Sequence, residues 1–473
     1  MRHWRIYPIA VMTSVFLFAS AAESFAAPGE LDDLDITVAV ENELMLEPGV
    51  PSHNIDVTTE KGVVTLSGSV DSYAAMLDAQ NVAESVKGVM AVVNNIEVKA
   101  RDRADLAIRT HVLSALALNP VTESYEIRVE VIDGEVTLTG RVDSRTEKQA
   151  AEDVVSGVEG VVRVINLLSY DFVDDRLDEQ VAADIRYRLR SDASINSRRI
   201  IVAVDQGDVT LSGSVRSAAE KSEAATEAWF IPGVKSVENE IEVAWHREED
   251  ADDGGENWSD ADTKKMIDSA LLANPWVKRF DVRTIVRDGV VTLTGTVDNL
   301  QAKREAEAEA LDVSGIRRVK NFLRVRLSQS RPDADIAKDI RQALKRDPHV
   351  AVYDITVSVF NGKAYLRGEV DSVYMRQQAE EVATRVPGVV DIRNALDVHY
   401  QATPKSDQEI KEDIESELFW SPFVDSDDIT VEVHSGVATL TGSVEDWREL
   451  RAVQENVREG GATSMINKLE IDQ

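Results

Sequence analysis

Gly62-Val63-Val64-Thr65-Leu66-Ser67-Gly68-Ser69-Val70 decides how this chain folds, because the string returns five more times. It recurs as Gly134-Glu135-Val136-Thr137-Leu138-Thr139-Gly140-Arg141-Val142 and as Gly207-Asp208-Val209-Thr210-Leu211-Ser212-Gly213-Ser214-Val215, then at 289–297, 362–370 and 436–444. The second glycines, Gly68, Gly140, Gly213, Gly295, Gly368 and Gly442, lie 72, 73, 82, 73 and 74 residues apart. One G-x-V-x-L-x-G-x-V is a weak signal. Six in near-constant register define a repeat, which must be found before any single-domain reading is tried.

Working outward from the second glycine, the residues 24 positions earlier are Leu44, Leu116, Leu189, Leu271, Leu344 and Leu418. Four earlier stand Val40, Val112, Ile185, Ile267, Ile340 and Ile414, and four earlier again Ile36, Ile108, Val181, Thr263, Ile336 and Ile410. That spacing is one face of a helix. Pro120, Pro275 and Pro348 stop it in three copies, since proline lacks the N–H and disfavours helical geometry before it. Ile55-x-Val57 and its counterparts then alternate with polar residues, the period of a half-buried strand. Asp133-Gly134, Asp288-Gly289 and Asn361-Gly362 are pairs that tolerate the positive φ of a two-residue hairpin turn.

Beyond the second strand, Ser144 with Glu147 and Ser217 with Glu220 have the spacing of capping boxes that open a second helix. Ala79, Ala83 and Val86 recur at i, i+4, i+7, Gly88 punctuates, and Val92-x-Asn94-x-Ile96-x-Val98 is a last strand. The expected class is therefore α+β: six tandem αββαβ modules, each a three-stranded mixed sheet with two helices on one face. Their expected extents are 31–100, 101–173, 174–246, 260–327, 328–400 and 401–473. At about 70 residues each is near the lower limit for an independent core, so neighbours should pack together.

A helix, I-x-V, G-x-V-x-L-x-G-x-V, a second helix, then G-V and V-x-N, resembles the BON domain of bacterial osmotically inducible and nodulation proteins, over residues 31–473. The sixth copy departs, with Gly460-Gly461-Ala462 in place of V-x-G-V and Asn467 one residue early. The resemblance implies a non-catalytic periplasmic or envelope protein linked to osmotic or envelope stress. It also implies phospholipid surfaces or envelope proteins as partners, and potassium binding in relatives that carry a further peptidoglycan-binding module. No such module is visible in this sequence.

The ends and the composition agree. Arg2, Arg5 and an apolar run to Ala22, followed by Ser24-Phe25-Ala26, read as a cleavable secretory signal over residues 1–26. No cysteine occurs, so the expected product is an unlipidated periplasmic protein without disulfides, thiol nucleophile or Cys-based metal site. A formal charge of −33 argues against nucleic acid as a partner, since that needs basic patches.

No catalytic, cofactor or metal residues are assigned, and the protein is expected not to be an enzyme. His53, His111, His246, His349, His399 and His434 form no H-x-x-H or H-E-x-x-H pair. Carboxylates are abundant, and none is read at one position in all six copies. Asn94, Asn166, Asn239, Asn321, Asn394 and Asn467 are taken as the only polar residues held in every copy. They are expected to bond backbone where the last strand begins, and the paired glycines to serve a turn and a close approach. Trp276, Trp420 and Phe423 follow the first helices of modules four and six, where they either meet lipid or a partner or cover the end of a core. The segment 247–259, with Asp250, Asp252, Asp253 and Glu256 beside Gly254-Gly255, fails the Ca-loop pattern and reads as an acidic linker. Two rods of three modules hinged there are expected. Net charge leaves weak cation binding, of potassium or calcium, as the alternative function.

Overall fold

The structure is a computed structural model that describes residues 31–47, 49–100, 103–119, 121–122, 127–170, 176–192, 194–244, 259–277, 280–313, 316, 318–326, 331–351, 353–371, 373–398, 405–444 and 447–471. The signal at 1–26 and all but the last residue of the linker at 247–259 lie outside them.

The first module sets the pattern: α1 (Asp33–Leu46), β1 (Ile55–Glu60), β2 (Val63–Val70), α2 (Tyr73–Glu84) and β3 (Ala91–Val98). All six modules repeat this order. The positions at i, i+4, i+8 that predict the first helix are buried in every copy, Thr263 included. Asp32 opens α1 with a capping box to Asp35, and Ser72 accepts the Ala75 N–H at the start of α2. The two capping boxes read from sequence are not formed as such. The Ser144 hydroxyl bonds the Glu147 carboxylate, not backbone. Ser217 accepts the Glu220 N–H at 3.0 Å, but the Glu220 carboxylate accepts from Arg216 N (2.9 Å) and Asn196 N. A buried carboxylate there gains more by also satisfying the loop before the hairpin than by closing on its own cap.

Each sheet has the order first, second, third strand, with an antiparallel hairpin and a parallel crossover through the second helix. The hairpin turns carry positive φ at both central residues in all six copies, including Lys61-Gly62, Gln206-Gly207 and Ser435-Gly436, which lack the Asn or Asp signal. The second glycine crosses beneath the residue before the first strand: a Cβ on Gly213 would stand 1.9 Å from the Arg199 carbonyl oxygen. The register Leu66↔Asn94 is kept as Leu440↔Asn467 in the sixth module, so its missing residue is absorbed in the turn after a 13-residue second helix.

The modules do not form rods. In the first triplet each second helix begins against the next module: Tyr73 packs on the core of module two, the Arg145 guanidinium lies 3.7 Å from the Trp229 ring centroid of module three, and Ala218 enters the core of module one. The third module thus returns to the first, closing a ring. In the second triplet Leu300 of module four enters the core of module five, and Arg451 of module six bonds the Leu311 carbonyl and Asp312 of module four.

The two triplets face each other in reverse order, so the expected pair of hinged rods is corrected. The backbone after a second helix meets the end of a first helix three times. Lys87 N–H donates to Trp420 O at 2.9 Å, Glu159 N–H to Arg346 O at 2.8 Å, and Asp192 bridges Val313. Modules of this size bury little surface alone, and the cores of modules one, two and five gain apolar cover from other modules, through Ala218 and Trp420, Tyr73, and Leu300.

Candidate functional site

Five of the six asparagines make the same clamp. The Asn321 side-chain amide donates to the Lys303 carbonyl in the second helix at 2.7 Å, and its oxygen accepts the Leu323 N–H at 3.1 Å. Asn94, Asn166, Asn239 and Asn394 do the same with Met76, Lys148, Lys221 and Arg376. Asn467 keeps only the strand half, to Leu469 N at 2.8 Å, and is exposed. Helix and strand therefore share one amide, whose donor and acceptor face in two directions.

The asparagines are not the only polar residues held in every copy, and a carboxylate is. Thirty-five residues before each second glycine stands an aspartate: Asp33, Asp105, Asp178, Asp260, Asp333 and Asp407. Each opens a first helix; five accept two backbone N–H groups of the hairpin turn, and Asp260 accepts one, from Asp288 at 3.3 Å. Asp333 takes Asn361 N at 2.8 Å and Gly362 N at 2.9 Å. The two donors beside Asp407, Gly436 and Ser435, hold its carboxyl below the ordinary carboxylate range. Counting back from the glycine reveals these residues; helical periodicity does not, because a first-turn aspartate looks like any helix start. Asp333→Ala is expected to cost about 1–2 kcal/mol by orphaning two turn donors. Asp333→Asn, which keeps one acceptor, should cost less, and chemical unfolding of both variants measures the difference.

The three candidate aromatics are half-buried. Trp276 packs against the core of its own module, while Trp420 of module six packs against the core of module one. Phe423 lies in the turn after that helix. Exposed Phe419 stands edge-on to Trp420 and takes Lys87 Nζ at 5.3 Å from its ring centroid. The structure does not gather the three into one patch.

Carboxylates collect where the two triplets meet. Glu417 of module six faces Glu43 of module one, and burial followed by that neighbour pushes the Glu417 carboxyl well up. Between modules three and four, burial pushes Glu223 and Glu309 up to about 7. Asp192, Glu223 and Glu227 could together reach one cation, but Arg188 already bonds both oxygens of Glu227. His349 stacks edge-on against Tyr374 at 5.4 Å, and His246 and His399 lie outside the described residues. A shallow groove of about 480 Å³ runs between modules one and two beside Tyr73, Met76 and Arg163. Among the described residues, no helix is long and apolar enough to cross a membrane.

The fold and these residues define a class: a multi-module α+β protein whose repeated asparagine and aspartate side chains bond backbone within their own modules. The BON domain model matches residues 32–100, 104–171, 177–244, 259–326, 332–400 and 406–473, and the chain belongs to the BON domain family. It is 34% identical over 143 residues to the osmotically-inducible protein Y of Escherichia coli, covering 29% of this chain and 71% of that one. It is 26% identical over 147 residues to the outer membrane lipoprotein DolP of Haemophilus influenzae, covering 30% and 76%. Among solved structures, the C-terminal domain of CdsD, the structural protein of the type III secretion system of Chlamydia trachomatis, aligns at 16% identity over 46% of this chain and 100% of that one. Its TM-score is 0.13.

Proposed function

We propose that this protein is a non-catalytic binding or scaffolding protein of the periplasm, working at the cell envelope in osmotic or envelope stress. One observation carries the reading. The repeated asparagine, in five copies of six, and the aspartate, in all six, bond backbone inside their own modules, so what differs between copies is the outer surface, and that is where partners bind. The names of the relatives, one osmotically inducible and one an outer membrane lipoprotein, support envelope work. Partners are phospholipid surfaces or envelope proteins. The full chain should float with vesicles of anionic or zwitterionic lipid, or crosslink to envelope proteins in intact cells. Capture of neither overturns the reading. Cation response comes second: what favours it among the described residues is the carboxylate trio at Asp192, where Arg188 already supplies positive charge.

A further inference from the structure

The helices of each module cover one face of its sheet, leaving the other face to outward-pointing residues. In module four these alternate without exception. Across the three strands the register sets Arg287 beside Val290 and Arg318, Ile285 beside Thr292 and Lys320, and Arg283 beside Thr294 and Phe322. Arg324 completes the row after Thr296. That is five cations and no carboxylate on one face of a chain whose formal charge is −33. Ile285 and Phe322 are 49% and 62% exposed among them. On this face, among the described residues, only Arg283 has an ion pair, with Asp281 at 3.7 Å.

Module three presents the inverse. Its outward residues include Asp205, Asp208, Glu238, Glu240 and Glu242, no cation, and Ile201 at 64% exposure. Three of these carboxylates occupy the register positions at which module four has Arg287, Lys320 and Arg324. Modules two, five and six mix signs on this face, and module one has three carboxylates. Five charges of one sign with none of the other are thus found only on the two modules on either side of the 247–259 segment.

We propose that the basic sheet face of module four docks on the acidic sheet face of module three of a second copy of this chain. The contact is sheet on sheet, with Phe322 and Ile285 meeting the apolar centre around Ile201 and Ala203, and the charges pairing at the rim. Eight residues at about 3.3 Å each, by three strands about 4.8 Å apart, give a face of roughly 400 Å². That is about half the area a standard partner contributes, so the association is weak and concentration-dependent. It also needs salt of an intermediate strength. Near 0.15 M the Debye length of about 8 Å screens the repulsion between whole molecules more than the pairs in contact, whereas near 1 M, at about 3 Å, the pairs are screened as well.

The test is sedimentation velocity of the full chain across roughly 10–300 µM, the range a half-size interface requires. Wild type should show a concentration-dependent rise in mass at moderate salt that vanishes near 1 M. Arg318→Glu with Lys320→Glu cuts the module-four face from five net positive charges to one, and Glu238→Lys with Glu240→Lys cuts the module-three face from five net negative charges to one. Each should self-associate about tenfold more weakly or worse, with unchanged circular dichroism because all four side chains point to solvent. Mixed in equal amounts, the two variants should associate with each other, a recovery that a folding defect cannot produce. A wild type that stays monomeric throughout, or a mixture that does not associate, overturns the proposal. So does a monomeric wild type whose module-four face captures anionic vesicles and loses them on Arg318→Glu with Lys320→Glu; a lipid surface would then be its partner.

Discussion

Gly213→Ala is expected to unfold module three locally, at a cost of about 3 kcal/mol or more. The backbone there has φ +112°, which an L side chain rarely adopts, and the new methyl would stand 1.9 Å from the Arg199 carbonyl oxygen. That oxygen belongs to backbone, so relief requires moving the residue before the first strand rather than turning a rotamer. Stability in a repeat array is spread over modules and their contacts, and a single global midpoint can hide a local loss. Hydrogen exchange over residues 200–215 is therefore the measurement, with exchange there expected to quicken and that of module six to change less. Gly157→Ala is the control: its φ is −80° and the nearest atom a Cβ would meet is Asp153 O at 3.9 Å. It should be neutral within about 0.5 kcal/mol.

Between pH 8 and pH 5 this protein should become more stable as the pH falls. At the meeting of modules one and six, Glu417 is 6% exposed and shares a hydrogen bond with Glu43, with Glu459 and Asp413 adding negative charge. Between modules three and four, Glu223 and Glu309 titrate at about 7, where burial, Glu227 and Asp312 outweigh the opposing Arg188. Carboxyls raised in the folded state bind more protons folded than unfolded. Their contribution is complete below the unfolded value near 4.5 and is lost as pH rises through the folded values. The slope is on the order of 1 kcal/mol per group per pH unit within that window. Asp407 and Glu409 are shifted the other way, so they stay ionised down to the acid edge and do not mask it. Urea unfolding should show a higher midpoint at pH 6 than at pH 8.5. Glu417→Gln should raise the midpoint at pH 8.5 and flatten the dependence; an unchanged slope would mean that the ring contact is not what titrates.

Much of the module was legible because its cause is local. Alternation in β1 and β2 needs only the two-residue period of a pleated strand, and Ile36, Val40 and Leu44 need only the helical period. Even the hairpins without an Asn or Asp signal follow, since Gly62, Gly207 and Gly436 supply one positive φ and the twist of the strands selects the turn. The aspartate staple was equally present in the sequence. It went unseen because Asp33 and its hairpin turn are joined by hydrogen bonds spanning 28 and 29 residues, which no periodicity encodes.

The sequence by itself determined six copies of one αββαβ unit, their order and which faces of their helices and strands are apolar, because each of these follows from short-range spacing repeated six times. Only the tertiary structure decided that three modules close on themselves and that the two triplets meet in reverse order. The contacts within a triplet are made by Tyr73, Arg145, Ala218 and Leu300, which share a register position but no chemistry, and those between triplets by backbone groups of Lys87, Glu159 and Asp192, so repetition cannot reveal them. Trp420 shows the same limit: an aromatic at a helix end looks alike in sequence whether it covers its own core or, as here, that of a module more than 300 residues away. Burial is a property of where chains meet in space, and two modules can meet through residues that carry no mark of it in either one.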